Sequence, residues 1–282
     1  MKPNVSTFIG CDADYADSRI VLFGAPFDST TSYRPGTRFA SSAIRNESFG
    51  IETYSPYQDK DLTDYAVFDA GDLELPFGSP ERALADIEAF ATQVLHDNKV
   101  PLMIGGEHLV TLGAVRAAVK QYPDLHIVHF DAHADLREDY LGVTLSHATV
   151  LHRCWDLVGD GKIFQFGIRS GDRDEIYWGG EHVETCMFDF STLDSVVERL
   201  KNKSVYFTLD LDVLDPSVFP GTGTPEAGGV TFMQLLEAVR KVAKLHVVAM
   251  DMNELSPVYD QSGASTALAC KILREILLAN LD

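Results

Sequence analysis

The sequence predicts an α/β fold in which helices cover both faces of a mostly parallel sheet. Two observations support this fold class. Short, nearly continuous apolar runs recur along the chain, which is typical of strands buried on both faces. Helical patterns lie between these runs, and strands that alternate with helices indicate parallel pairing. No internal repeat or linker divides the 282 residues, so we expect a single domain over 1–282.

The apolar runs and the helical patterns give the individual elements. The predicted strands cover 19–26, 65–71, 100–106, 125–131, 162–169, 204–212 and 245–254. The predicted helices cover 79–98, 148–158, 231–244 and 262–281. Pro80 suits the first position of its helix. Thr231 and Gln234 have the spacing of a capping box, which places a helix start between them.

The chain is strongly acidic, with 42 Asp and Glu residues against 23 Lys and Arg and a formal charge of −19. This charge argues against nucleic acid as a partner, because phosphates need a basic footprint. It suits a small cationic substrate, although solubility is the simpler explanation of the excess.

Two further features bear on the location of the protein. No apolar stretch approaches the roughly 18 residues of a membrane span, and the N-terminal residues lack the apolar run of a signal peptide. The four cysteines are far apart and form no CxxC pair. They are Cys11, Cys154, Cys186 and Cys270. We therefore expect reduced thiols in a cytoplasmic protein, without a membrane partner, a disulfide framework or a zinc knuckle.

Residue types that bind metals follow four of the predicted strands, and ligands collect at the carboxyl ends of parallel strands. Asp131, His133 and Asp135 stand at alternate positions after one strand, so they point to the same side of an extended chain. The other strands are followed by His108, by Asp210 and Asp212, and by Glu254. A single Asp at a strand end is usually a turn or a helix cap. Alternating ligands after two strands fit turns poorly, so we interpret the cluster as a metal site.

The composition of this cluster predicts two manganese ions. The ligand set consists of His108, Asp131, His133, Asp135, Asp210 and Asp212. Its four negative charges balance two divalent cations, whereas one cation would leave the site negative. Mixed carboxylate and imidazole ligands without a thiolate favour manganese over structural zinc. Two such ions about 3.5–4 Å apart can hold a water between them and lower its pKa, which makes a hydroxide nucleophile at neutral pH.

Three motifs resemble the signatures of the ureohydrolases, the family of arginases and agmatinases. They are GGEH at 105–108, DAHAD at 131–135 and DLDVLDP at 210–216. The resemblance extends over nearly the whole chain through similar stretches at 32–45, 68–72, 221–229 and 254–260. It implies a three-layer α/β/α fold around an eight-stranded, mostly parallel sheet. It also implies a homo-oligomer, either a trimer or a hexamer.

The resemblance implies a role for each candidate residue. One ion would be held by His108, Asp131, Asp135 and Asp210, and the other by Asp131, His133, Asp210 and Asp212, with Asp131 and Asp210 bridging. His147 matches the family's catalytic histidine, which shuttles protons to the leaving amine. Glu254 matches the acidic residue that anchors the substrate guanidinium. The alternatives are that His147 caps the helix after it and that Glu254 is the buried partner of an arginine. His129 is expected in the core.

The substrate expected from this resemblance is agmatine, which would give urea and putrescine on the way to polyamines. Arginases hold the α-carboxylate of arginine with a serine and an asparagine after the second signature, and 136–146 contains no asparagine. Glu138 and Asp139 could receive the distal ammonium of agmatine. Arg137 would favour a carboxylate, as in 4-guanidinobutyrate, if it pointed into the pocket; a structural role for Arg137 is the preferred interpretation.

Two different classes of protein could share these motifs. A deacetylase-like enzyme with one zinc ion would need fewer carboxylates. A non-catalytic metal-binding relative would be expected to lack a ligand, His147 or Glu254, and all of these residues are present. The chain departs from the family at Ala148, where glycine is frequent, and the extra methyl group is expected to narrow the pocket mouth slightly.

Overall fold

The computed structural model of the protein describes residue 1 and residues 6–281. Residues 2–5 and 282 lie outside the described residues. The N-terminal stretch that we expect not to be a signal peptide therefore lies partly outside them. The single domain over 1–282 stays a prediction. None of the described helices has the length and apolar character that crossing a bilayer requires.

Eight strands form one sheet in which every neighbouring pair is parallel. Together with a separate pair, the described residues contain ten strands. In chain order they are β1 Ile20–Gly24, β2 Tyr54–Ser55, β3 Lys60–Asp61, β4 Val67–Asp72, β5 Val100–Ile104, β6 His126–Phe130, β7 Ile163–Ile168, β8 Glu184–Met187, β9 Ser204–Asp210 and β10 His246–Asn253. The spatial order is β4-β1-β5-β10-β9-β6-β7-β8, and β2 and β3 form a separate antiparallel pair.

Helices cover both faces of this sheet. They are α1 Ala40–Glu47, α2 Pro80–His96, α3 Thr111–Gln121, α4 Val150–Val158, α5 Arg173–His182, α6 Leu193–Leu200, α7 Phe232–Val242 and α8 Ala264–Ala279. One buried apolar cluster joins α1, α6, α7 and α8 to the sheet, and a second joins α2, α3 and α4 to its other face. The predicted three-layer α/β/α architecture with a parallel eight-stranded sheet is confirmed.

Every predicted element is present in the structure, but α1, α3, α5, α6, the β2–β3 pair and the edge strand β8 were not predicted. All seven predicted strands and all four predicted helices are present, Pro80 begins α2, and Thr231 and Gln234 form the capping box of α7. The strand β8 was missed because it is short, lies at the sheet edge and is only partly buried, so it lacks a continuous apolar run.

The strand order brings the candidate residues together. The strands β5, β10, β9 and β6 are consecutive neighbours at the centre of the sheet. Because all four run in the same direction, their carboxyl ends lie along the same edge. The segments that follow them carry His108, Glu254, the aspartates of 210–212 and the residues 131–135.

Candidate metal centre

The six predicted metal ligands converge at this edge of the sheet. His108 begins a short 3-10 helix after β5, and Asp210 is the last residue of β9. The side chain of His133 is 23% exposed, whereas that of His108 is 1% exposed. The four aspartates are buried as well. The cluster therefore has an enclosed side at His108 and an open side at His133.

Three carboxylate oxygens surround Nδ1 of His108. They are Oδ2 of Asp131 at 3.0 Å, Oδ2 of Asp135 at 3.1 Å and Oδ2 of Asp210 at 3.5 Å. This buried nitrogen nevertheless makes no hydrogen bond with any of the described residues. Buried polar atoms are normally paired, so an unpaired nitrogen among three oxygens is the arrangement expected of ligands that face a cation.

The second group of ligands forms around His133. Its Nδ1 lies 3.1 Å from Oδ2 of Asp212 and 3.4 Å from Oδ1 of Asp131. The ligand atoms of Asp131, His133 and Asp212 lie within 4.8 Å of one another. Asp131 thus contributes Oδ2 to the His108 side and Oδ1 to the His133 side, which suits a carboxylate that bridges two ions.

The electrostatics of the cluster also fit bound cations. Burial, together with the charge of Asp131, raises the pKa of Asp135 to about 7. Burial likewise raises the pKa of Asp210 well above its usual range, and the charges of Asp212 and Asp131 add to the shift. Carboxylates this close together resist ionisation unless a positive charge joins them. The oxygen and nitrogen donors, with no thiolate among them, suit Mn²⁺.

His129 holds one of the candidate ligands from behind. The structure confirms that it is fully buried, and its Nε2 lies 2.8 Å from Oδ2 of Asp131. Gln165 donates from Nε2 to the carbonyl of Ala134 and lies 3.0 Å from Nδ1 of His129. Because that amide nitrogen can only donate, Nδ1 accepts and Nε2 donates to Asp131. The predicted core histidine therefore also orients a carboxylate.

His147 lies beside the cluster at the start of the turn that leads into α4. Its Nε2 is 3.3 Å from Oγ of Ser32, and its Nδ1 is 3.3 Å from Oγ of Ser146. Ser146 and Thr149 form the capping box of this turn, so Ser146, and not His147, provides the cap. Burial lowers the pKa of His147 to about 4, which leaves the imidazole neutral at pH 7.

Glu254 follows β10 and points back towards His108. Its backbone has a φ of 67°, a left-handed conformation that is uncommon for glutamate and frequent at functional sites. Oε1 accepts a hydrogen bond of 2.7 Å from the backbone N–H of His108. The ion pairs of the described residues include none between Glu254 and an arginine. A Cβ at Gly223 would lie 3.6 Å from Oε2, so this glycine leaves space beside the carboxylate.

A cavity of about 120 Å³ opens onto the cluster. It is lined by Ser32, His108, His133, Asp135, Arg137, Tyr140, His147, Ala148, Ser170, Gly171, Glu175, Asp210, Thr224 and Glu254. Ala148 lies in the wall, as expected of the residue after His147. Thr224 belongs to the glycine-rich stretch 221–229, which therefore forms part of the wall as well.

Arg137 lies in the cavity wall, but acidic partners surround it. Its guanidinium lies 3.3 Å from Asp172 and 3.4 Å from Glu175, and it stacks over the ring of Tyr140. Glu138 and Asp139 are exposed, and neither is among the residues that line the cavity. The suggestion that these two residues receive the distal ammonium of a substrate is wrong, because the loop turns them outwards.

Glu107 is a site residue whose role the sequence analysis missed. It is fully buried and accepts hydrogen bonds from the backbone N–H and hydroxyl of Thr30 and from the hydroxyl of Thr31. Thr30 in turn accepts the backbone N–H of His147 at 3.2 Å. Glu107 thus fixes the loop that carries Ser32 against His147. Its place next to His108 was a signal, but the distant loop that it binds could not be predicted.

Comparison with known proteins gives the same family at the level of sequence and of structure. The model of the arginase family matches residues 18–279. Agmatinase from Bacillus subtilis (strain 168) is 46% identical over 275 residues, which cover 96% of this chain and 95% of that protein.

Two solved structures are similar over almost their whole length. The agmatine ureohydrolase of Thermoplasma volcanium gives a TM-score of 0.89 at 33% identity, covering 98% of this chain and 94% of the other. Proclavaminate amidino hydrolase from Streptomyces clavuligerus gives a TM-score of 0.90 at 34% identity, covering 99% and 97%. The chain belongs to the arginase family.

Proposed function

We propose that this protein is a two-manganese hydrolase that cleaves the guanidinium group of agmatine to urea and putrescine. The observation that carries the proposal is the cavity onto which the metal-ligand cluster, His147 and Glu254 all open. It combines ligands for hard cations, an imidazole that can move a proton and a carboxylate suited to a guanidinium. The similarity to the Bacillus subtilis agmatinase supports agmatine as the substrate.

The ligand set supports the metal chemistry. His108, Asp131, Asp135 and Asp210 would hold one ion, and Asp131, His133, Asp210 and Asp212 the other. A guanidinium is a poor electrophile because its charge is delocalised. When bound, two Mn²⁺ ions supply a water nucleophile of lowered pKa at neutral pH. Two ions also neutralise the four carboxylates, which one zinc ion of a deacetylase-like enzyme would not do.

His147 supplies the proton transfer in this proposal. Its pKa of about 4 means that the imidazole is neutral at pH 7 and can accept a proton before it donates one. The tetrahedral intermediate collapses only if the leaving nitrogen is protonated, because an amide anion does not leave in water. The hydroxyls of Ser32 and Ser146 flank the two ring nitrogens and keep the ring facing the cavity.

Glu254 orients the substrate. One oxygen of its carboxylate is held by the His108 amide, and the other lies beside the open space at Gly223. A carboxylate matches a guanidinium in charge and in its two-point hydrogen-bond geometry. Because His108 follows β5 and Glu254 follows β10, this bond ties the substrate anchor to the metal ligands.

The surroundings of Arg137 favour a cationic substrate over an anionic one. Asp172 and Glu175 both lie within 3.4 Å of its guanidinium, so its charge is already balanced. Two carboxylates against one guanidinium leave this part of the cavity wall net negative, which suits the distal ammonium of agmatine. The second candidate function is hydrolysis of 4-guanidinobutyrate, and the observation that favours it is the presence of Arg137 in the cavity wall.

The proposal extends to the setting of the enzyme. All four cysteines are unpaired and buried, which supports a reducing compartment such as the cytoplasm. A homo-oligomer, trimeric or hexameric, and a role in polyamine synthesis rest on the resemblance to the family. Light scattering of the purified protein tests the first, and putrescine formation in cells that express it tests the second.

The central experiment is urea release by manganese-loaded protein given agmatine, arginine and 4-guanidinobutyrate in parallel. We expect urea from agmatine at a far higher rate than from the other two, with two Mn²⁺ bound per chain. Preference for 4-guanidinobutyrate would favour the second candidate. No urea from any substrate with two ions bound would contradict the proposed substrate, and fewer than two ions would contradict the proposed centre.

A further inference from the structure

We infer that Thr208 and Asp251 are positioning residues that lock His108 in the tautomer whose unprotonated Nδ1 faces the metal ions. The inference rests on the metal centre proposed above and concerns residues behind it, which neither bind the ions nor line the cavity. It assigns a function to a buried polar network that runs across the centre of the sheet, from β9 to β10.

The network begins at the ring nitrogen of His108 that points away from the metal cluster. Nε2 of His108 lies 2.9 Å from Oγ1 of Thr208. Oγ1 of Thr208 donates to Oδ1 of Asp251 at 2.6 Å. Thr208 belongs to β9 and Asp251 to β10, and the two residues are register partners in the sheet. The paired strands therefore hold the threonine and the aspartate at a fixed separation.

The carboxyl group of Asp251 accepts three hydrogen bonds. Oδ1 accepts from Thr208 and from Nδ2 of Asn253 at 2.7 Å, and Oδ2 accepts from the hydroxyl of Tyr206. An amide nitrogen can only donate, so Asn253 requires an acceptor at Asp251. Three donors aimed at one carboxyl group are the pattern expected of a carboxylate rather than a protonated acid. Asp251 therefore receives the single hydroxyl proton of Thr208.

The direction of the next hydrogen bond follows from this proton count. A threonine hydroxyl has one proton and two lone pairs, and Thr208 has given its proton to Asp251. It can only accept from His108, so Nε2 of His108 carries the proton. A neutral imidazole then has a lone pair at Nδ1. That is the buried nitrogen that makes no hydrogen bond within residues 6–281 and lies 3.0–3.5 Å from three candidate metal-binding carboxylates.

The packing leaves little freedom for another arrangement. The side chains of Thr208 and Asp251 are buried, and Asn253 is fixed by a second bond to Oγ1 of Thr111 at 3.0 Å. A Cβ at Gly105 would come within 1.7 Å of Oδ1 of Asn253, so the first glycine of GGEH makes room for this amide. The GGEH motif thus provides the ligand His108 and the space for the network that orients it.

The test compares three variants by their affinity for Mn²⁺, measured by competition with a chromogenic chelator. Thr208→Val keeps the shape of the side chain and removes the acceptor of the His108 proton. We expect it to weaken one of the two Mn²⁺ sites by about 10–100-fold, the usual effect of losing a partner behind a metal ligand. Thr208→Ser retains the hydroxyl and should restore wild-type affinity. Asp251→Asn should weaken the same site.

Thr37→Val is the matched control, because Thr37 is also fully buried but its hydroxyl has no hydrogen-bond partner in the part of the chain that the structure describes. It should leave both Mn²⁺ sites unchanged. Thermal unfolding of metal-free protein separates positioning from packing. If Thr208→Val lowered the metal-free Tm but left both affinities at wild-type values, the network would only stabilise the fold and the inference would be wrong. Wild-type protein that bound no Mn²⁺ would overturn both the inference and the proposed centre, whereas unchanged affinity in Thr208→Val alone would leave the proposed function standing.

Discussion

The two histidines of the candidate metal centre stand in very different surroundings. His108 is 1% exposed, and hydrogen bonds behind it reach Thr208 and Asp251. The side chain of His133 is 23% exposed and lines the cavity from the loop after β6. Asp131 contacts both of them, with one carboxylate oxygen towards each.

This difference indicates that the two sides of the cluster have different roles. On the His108 side, the sheet itself fixes the ligand, so the geometry is set before any ion binds. On the His133 side, the ligand stays next to open space where water and a substrate can approach. Asp131 joins the two sides and should be the residue on which both depend.

Replacing Asp131 should impair metal binding on the His108 side and on the His133 side alike. Asp131→Asn removes one of the two charges, those of Asp131 and Asp210, that the proposed ligand sets share, so we expect loss of both Mn²⁺ ions and a fall in urea formation of at least about 10³-fold. Metal content after dialysis, measured by mass spectrometry, checks this outcome. Asp139→Asn, an exposed change in the same loop, should keep both ions. Retention of two ions by Asp131→Asn would remove Asp131 from the ligand set.

His147→Asn should separate chemistry from metal binding. Turnover should fall by about 10²–10³-fold, because a proton-transfer group contributes on that scale, while two ions stay bound. The same variant has a pH signature in metal-free protein. The pKa of His147 is about 4 in the folded state against an ordinary 6.5. The unfolded chain therefore binds more protons between those values, and stability falls as the pH drops from 6.5 to 4.

His147→Asn should reduce that fall, as measured by urea denaturation at several pH values in the presence of a chelator. An unchanged turnover would show that His147 is not the proton shuttle. An unchanged pH dependence would show that its burial does not suppress protonation.

Substituting each of the two histidines in turn compares how much each contributes to the stability of the metal-free protein. In metal-free protein, His108→Asn should lower the free energy of unfolding by about 1–3 kcal/mol, because it leaves buried polar partners unsatisfied. His133→Asn should lower it by less than His108→Asn does, because the side chain of His133 is 23% exposed and water can reach the polar partners that it leaves. Denaturant titration of both variants with chelator present gives the two values. Equal losses would mean that the enclosed side is no more firmly built than the open one.

The smallest effect is expected at Ala148, which lines the cavity but is not among the proposed metal ligands. Ala148→Gly removes one methyl group, so the KM for agmatine should change by less than about threefold. Loss of stability should stay below about 1 kcal/mol, the cost of glycine in a helical turn. Steady-state kinetics at fixed manganese concentration measures the first value. A tenfold change in KM would show that the methyl group contacts the substrate.

The sequence predicted much of the fold because its signals were local. Seven apolar runs mark seven strands, and the capping box at Thr231 marks the start of α7. The edge strand β8 has no such signal, since only one of its four residues is buried. The order of the strands in space could not be derived from the runs themselves. The family resemblance implied the number of strands and their mostly parallel direction, which the structure confirms, and the order itself is seen only in the folded protein.

The same distinction holds for the site. The four aspartates and His133 were predictable because they occupy alternate positions at or directly after the ends of two strands, a spacing that is visible in the residues alone. The backbone there is not extended throughout, since Asp212 lies in a 3-10 helix and Asp135 has a φ of 53°. The supporting residues were not predictable, since their partners are distant in sequence. Glu107 and Thr30 are 77 positions apart, and Asn253 and Thr111 are 142 apart. Arg137 was expected to be structural. Its acidic partners are Asp172, at the N-terminus of α5, and Glu175, within α5, and this contact is visible only in the folded protein.

The position of β10 has a consequence for how the chain is synthesised. This strand follows all the others in sequence, yet it lies between β5 and β9 at the centre of the sheet. Until it inserts, β4-β1-β5 and β9-β6-β7-β8 are separate half-sheets with open edges, which invite wrong pairing. His108 belongs to the first half and the four aspartates to the second. A nascent chain therefore carries every proposed ligand before β10 joins the two halves, and the group of ligands around His108 is complete only once β10 has inserted.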